Sequence, residues 1–134
     1  MNNITKAKSL LKRAKSNLIR GKEYSYLDLK EIALEDLCFD LQQCAEKSLK
    51  AILTYKNIDY PYSHKLNVLI DLLEENHINV PESVKDSAVL TSFAVEARYD
   101  DIVQLDHDIY KEALEISENV YNWALEQIKD FENK

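Results

Sequence analysis

Residues 96–110 read EARYDDIVQLDHDIY and hold two side chains well suited to chemistry, Arg98 and His107. An arginine and a histidine near a helix start can cleave RNA. The imidazole moves protons near neutral pH, and the guanidinium forks onto a phosphate. On one continuous helix, the nine steps from residue 98 to residue 107, at about 100° each, would place the two side chains on opposite faces. Asp100 and Asp101 favour a break between two helices, and across a loop the spacing constrains little. Asp100, Asp101, Asp106 and Asp108 would repel an RNA phosphate. The residues therefore predict that Arg98 and His107 do not meet within one subunit. Asp106 is read as a helix cap, with His107 in the first turn, where the helix N-terminus disfavours an imidazolium.

Other reaction centres find little support. His64, His77 and His107 are the histidines, and none has a second histidine four residues on, so the zinc-protease helix is excluded. Glu74 and His77 form a single Glu-x-x-His, whereas bundles that hold two irons use two such motifs. No Gly-rich phosphate loop or G-x-S-x-G is present. The sequence calls for no metal and no cofactor.

The elements that position these residues are helices. The chain has 134 residues, enough for one domain over 1–134 with a single core. One Gly and two Pro leave little turn chemistry. No run of about 18 apolar residues occurs, and the N-terminal stretch lacks the apolar segment of a secretory signal. Cys38 and Cys44 fall on one predicted helix, about 9 Å apart in rise, too far for a disulfide. Reduced thiols fit a cytoplasmic protein.

Periodicity outlines five helices. Ile4, Ala7, Leu11, Ala14 and Leu18 form one stripe, which Gly21 is expected to end. Leu34, Leu37, Cys38, Leu41, Ala45, Ser48 and Ile52 mark a second helix over 31–57. Ser63 reads as the cap of a third, bearing Leu66, Leu69, Ile70 and Leu73. Pro81 opens a fourth, reaching Tyr99. Its apolar residues (Val84, Ala88, Val89, Leu90, Phe93, Ala94, Val95 and Ala97) surround it and predict a central position. Asp106 caps a fifth, carrying Ile109, Ala113, Ile116, Val120, Trp123 and Gln127, with Leu105 and Tyr110 as a hydrophobic staple. The fold class is all-α, an up-and-down bundle of four or five helices.

Charge is uneven. The formal net charge is −7, yet residues 1–22 carry seven Lys or Arg and no acid, while residues 57–134 carry six basic and seventeen acidic side chains. Overall acidity argues against broad non-specific binding to nucleic acid. The basic strip reads as a solvated face, or as one that pairs with an acidic helix or a partner chain.

Three motifs in order carry a family resemblance. Residues 41–53, LQQCAEKSLKAIL, contain Gln43, Ala45, Glu46, Lys47, Leu49, Lys50 and Ala51. Pro61, Ser63, His64, Leu66 and Leu69 follow, and then Ala97, Arg98 and Tyr99. Over about residues 5–130 the chain resembles the HEPN family (higher eukaryotes and prokaryotes nucleotide-binding domain), in its A-R-Y branch. The resemblance implies a helical bundle that forms a homodimer. It also implies pairing with a minimal nucleotidyltransferase in a toxin–antitoxin-like system, with nucleotide or RNA as a ligand. Many relatives are metal-independent ribonucleases whose Arg and His lie closer in sequence than Arg98 and His107 do. In the A-R-Y branch the tyrosine is usually followed by Pro, where this chain has Asp100.

The resulting reading is a non-catalytic or weakly catalytic HEPN module, in which Lys47, Lys50, His64, Arg98 and Tyr99 would contact nucleotide or RNA. The alternative is a ribonuclease toxin using Arg98 and His107. A third reading makes the protein a substrate, because related nucleases are adenylylated on a tyrosine just after the histidine; Tyr110 lies one residue out of place for that. Each signature residue also has a structural explanation. Glu46 and Lys50 can pair at i, i+4. Phe39, Gln43, Glu46 and Lys50 form a mixed stripe that could line a groove or an interface. Arg98 is expected to fork onto Glu46. His64 fits a structural post beside its cap. Tyr55, Tyr60 and Tyr62 could stack bases, but more simply pack the edge of a small core.

Overall fold

The computed structural model describes residues 2–23, 33–91 and 106–132. Its elements are α1 (Asn3–Glu23), α2 (Leu34–Tyr55), α3 (Leu66–Glu75), α4 (Glu82–Lys85), a 3-10 turn (Asp86–Ala88), α5 (Val89–Thr91) and α6 (His107–Glu132). The architecture is an all-α bundle, as the periodicity requires.

Asn2 opens α1 by accepting the Thr5 N–H on its side chain at 2.8 Å. Asp106 caps α6 in the same way, accepting the Ile109 N–H at 2.9 Å. Helices α1 and α2 run antiparallel, so Asn17 near the end of α1 meets Asp40 near the start of α2. Helix α6 runs alongside α2 in the same direction: Ser117 donates to the Leu41 carbonyl near the start of α2, and the later residues Tyr121, Leu125, Ile128 and Lys129 face Lys8, Leu11, Lys12 and Lys15 toward the N-terminal end of α1. The core lies where these three helices meet, with Ala7, Ala14, Leu41, Ala45, Ala113 and Val120 inaccessible to solvent. Leu66, Leu69, Ile70 and Leu73 close one side from α3.

Helices α2 and α3 end alike. Asn57 and His77 take left-handed backbone, φ 58° and 63°. The next residue donates back across the helix end, Ile58 to Leu53 at 2.8 Å and Ile78 to Leu73 at 3.0 Å. Both are Schellman ends with an Ile–Leu contact position, built without glycine. The Glu-x-x-His of Glu74 and His77 is therefore part of a helix terminus.

Several expectations are corrected. Gly21 does not end α1, which continues to Glu23. The glycine is buried, and a Cβ there would lie 2.6 Å from Leu41 Cδ2. It permits close approach of two helices. Ser63 does not cap α3; Lys65 is the residue before the helix, and Ser63 Oγ accepts the Lys65 N–H at 3.1 Å in a local turn. Ile4 is 39% exposed rather than buried. The second helix is shorter than 31–57 at its C-terminal end, stopping at Tyr55. Within 82–91, Val84, Ser87 and Leu90 are buried while Val89 is exposed, so the described start of the fourth helix shows one buried face rather than a buried circumference. On α6 the buried face includes Ser117, Ala124 and Ile128, while Ile116 packs against the core only partly buried and Gln127 is also only partly buried. Phe93, Ala94, Val95, Ala97, Arg98, Tyr99 and Leu105 lie outside the described residues.

Candidate functional site

The signature segment of α2 builds two polar clusters on its opposite flanks. The first centres on Glu46, whose side chain is 4% exposed. Lys50 Nζ donates to Glu46 Oε2 at 3.0 Å from one turn on. His64 Nδ1 lies 3.0 Å from Oε1, and Gln42 Nε2 donates to the same oxygen at 3.2 Å. Gln42 Nε2 also donates to the His64 carbonyl at 2.9 Å. One buried carboxylate thus satisfies an ammonium, an amide and an imidazole, and ties the segment before α3 onto α2. The expected Glu46–Lys50 pair is present, and it is more buried than a surface i, i+4 pair. Tyr60 and Tyr62 complete this flank. Lys50 Nζ sits 5.6 Å from the Tyr60 ring centre, and the Tyr62 ring meets His64 edge-on at 5.5 Å. Tyr60 packs against the core and hydrogen-bonds Thr54, whereas Tyr62 is exposed. The mixed stripe is covered at Glu46 by this segment.

The second cluster joins α1 to α2. Asn17, buried to 3% exposure, donates through Nδ2 to Asp40 Oδ1 at 2.9 Å. It accepts from Lys47 Nζ on its own Oδ1 at 2.7 Å. Arg20 Nε also donates to Asp40 Oδ1, at 3.2 Å. Burial lowers the Lys47 pKa from its ordinary value, and the positive charges of Arg20 and Arg13 lower it further, against the opposing pull of the Glu46 and Asp40 carboxylates. Three cations therefore gather at one seam, with Asp40 hydrogen-bonded among them.

Of the sequence-derived site residues, the fold brings Lys50 and His64 together on Glu46 and places Lys47 on the other flank with Asn17. Arg98 and Tyr99 lie outside the described residues, so the expected Arg98–Glu46 pair and the Arg98–His107 separation do too. His107 is exposed in the first turn of α6, next to the capping Asp106, as expected. Tyr110 is 2% exposed, and its hydroxyl donates to the Gly21 carbonyl at 2.5 Å. It cannot receive a nucleotidyl group while the bundle is intact.

Asn17, Asp40 and Gln42 escape a reading of the sequence. Asn17 carries a usable signal: it sits three residues after Ala14 on the buried face of α1, where a polar side chain needs a partner. Among the described residues, no group of three His, Cys, Asp or Glu is placed to hold a metal. Cys38 and Cys44 are free and buried. Burial pushes their thiols up to about 12 and about 11 respectively. Among the described residues, no helix is long and apolar enough to cross a membrane.

A search of curated proteins finds no match. Among solved structures, the chain is similar to TT1696 from Thermus thermophilus, with a TM-score of 0.73 and 23% identity. The alignment covers 95% of this chain and 99% of that one. That likeness concerns the fold. The family model described as "HEPN domain" matches residues 4–128. That match takes in the Glu46 and Lys47 clusters and nearly all of the bundle, and by it the chain belongs to the HEPN family.

Proposed function

We propose that this HEPN protein is a binding module rather than a stand-alone catalyst. It acts as a homodimer and as the non-nucleotidyltransferase half of a toxin–antitoxin-like pair. It contacts a phosphate-bearing ligand, nucleotide or RNA, at the α1–α2 seam. The observation that carries the ligand assignment is the gathering of Lys47 and Arg20 around Asn17 and Asp40 at this seam, where burial and the charges of Arg20 and Arg13 disfavour the Lys47 ammonium more than Glu46 and Asp40 favour it. An anion there would relieve that unfavourable field. Lys50 is held on the buried Glu46 carboxylate and His64 Nδ1 lies against the same group, so in this reading both shape the module.

The test is co-expression with a nucleotidyltransferase encoded beside it, followed by co-purification, and titration of the isolated protein with ATP and with a short RNA. Lys47→Gln and Arg20→Gln are expected to weaken binding, and the His107→Ala protein to match the parent in any RNA cleavage. A ribonuclease reading draws on one observation, the accessible imidazole of His107. Loss of cleavage in a folded His107→Ala protein would establish it in place of the present proposal.

A further inference from the structure

The side of α1 away from the Lys47 seam carries a second surface. Lys8, Leu11, Lys12 and Lys15 of α1 face Tyr121, Leu125, Ile128 and Lys129 of α6 across a groove of about 460 Å³. Its floor is apolar and its rim is four lysines. Among the described residues, the ammonium groups of Lys12, Lys15 and Lys129 have no carboxylate within pairing distance. At about 100° per residue, Ile4, Lys8, Leu11, Lys15 and Ile19 fall within an arc of about 80° on α1. Ile4 is 39% exposed and Ile19 is 49% exposed, so large apolar side chains continue the floor beyond both ends of the groove. From Ile4 to Ile19 the strip is about 22 Å long, the length of roughly four helical turns. Glu118, the acid at its far end, is held by Lys22 at 3.5 Å.

We propose that this strip docks an acidic amphipathic helix of a partner protein. The helix would lay apolar residues spaced at i, i+3/i+4 and i+7 along Ile4, Leu11, Leu125 and Ile19. Its flanking Asp or Glu would meet the lysine rim. Charge complementarity selects this occupant. A second copy of the same face would set lysines against lysines. A nucleic acid would satisfy the lysines but leave the aliphatic floor against phosphate and sugar, whereas helix-in-groove binding uses both. The surface is independent of the anion site proposed above, because the two lie on opposite flanks of α1.

The full-length protein is titrated with a fluorescent synthetic helix of about 18 residues carrying Leu at i, i+4, i+7 and i+11 with Glu between. A scrambled peptide of identical composition serves as control. The amphipathic peptide is expected to bind about tenfold or more tightly than the scramble. Lys12→Glu with Lys15→Glu, both at exposed positions, should abolish that preference, and Ile19→Ser should reduce it several-fold at unchanged charge. Equal binding of both peptides would show bare charge attraction and overturn the proposal. So would full affinity in the lysine variant, displacement of the peptide by a short oligouridylate, or conversion of a dimer to a monomer by Ile19→Ser. The parent-protein comparison of the two peptides stands even if a variant fails to fold.

Discussion

His64 Nδ1, from the segment before α3, lies 3.0 Å from the buried Glu46 carboxylate of α2, which also accepts from Lys50 and Gln42. The three partners are not equal. Lys50 is 14% exposed and His64 is 49% exposed, so water competes far more for the imidazole than for the ammonium. Glu46→Ala is expected to cost about 2–4 kcal/mol, because it leaves Lys50 shielded from water without its carboxylate. Double-mutant cycles by urea unfolding should give a Glu46–Lys50 coupling larger than the Glu46–His64 coupling, which should stay below about 1 kcal/mol. The reverse order would mean that the histidine, not the lysine, anchors the site.

The thiols offer a test by pH. Cys44 is pushed up to about 11 by burial, so at pH 8 only about a thousandth of it is thiolate, and Cys38 less. Disulfide-exchange reagents should label neither cysteine rapidly in the native protein and both in urea. The sign for stability follows from proton count. Above about pH 9 the unfolded chain releases its thiol protons while the folded chain keeps them, so stability falls through about pH 11 to 12. Replacing both cysteines by Ala should remove that part of the alkaline decline.

His77 holds φ 63° at the end of α3, a region where an L side chain is strained. Its imidazole is exposed. His77→Gly should therefore stabilise the protein by about 0.5–1 kcal/mol, after the added freedom of the unfolded chain is subtracted. Thermal melts would read it, and a lower melting temperature would mean that the ring makes a contact worth more than the strain.

Gly21 predicts the opposite. A methyl group there would meet Leu41 Cδ2 at 2.6 Å and Cγ at 2.9 Å. Leu41 is fully buried and has little room to yield. Gly21→Ala should cost about 1–3 kcal/mol despite its better helix propensity. A neutral change in denaturant midpoint would show that Leu41 repacks freely.

These residues also mark how far the sequence can be read. The repeating apolar positions of α2 and α3 reveal their buried faces, because the core there is made largely of Leu, Ile, Ala and Cys. Asp106 is legible as a cap because capping is local chemistry between residues three apart. The buried face of α6 is harder to see, since Ser117 satisfies its hydroxyl on the Leu41 carbonyl and so occupies a core position that hydropathy assigns to the surface. Gly21 misleads for a related reason: a helix-ending glycine and a glycine that admits a neighbouring helix look the same until the neighbour is known. The Glu46 cluster lies half in view. The Lys50 partner follows from helical spacing, whereas His64 arrives from 18 residues away through a turn that no local rule dictates.

The contact at Gly21 also sets alignment. A slip of α1 by one turn would present Asn17 to Leu41 instead of a bare Cα, and it would pull Asn17 away from Asp40 and Lys47. The Tyr110 hydroxyl pins the same glycine carbonyl from α6. Three helices are thus indexed at one backbone position. Ile4, Leu11 and Ile19 stand at fixed heights against Leu125 and Ile128 because a residue with no side chain, close to the C-terminal end of α1, allows only one setting.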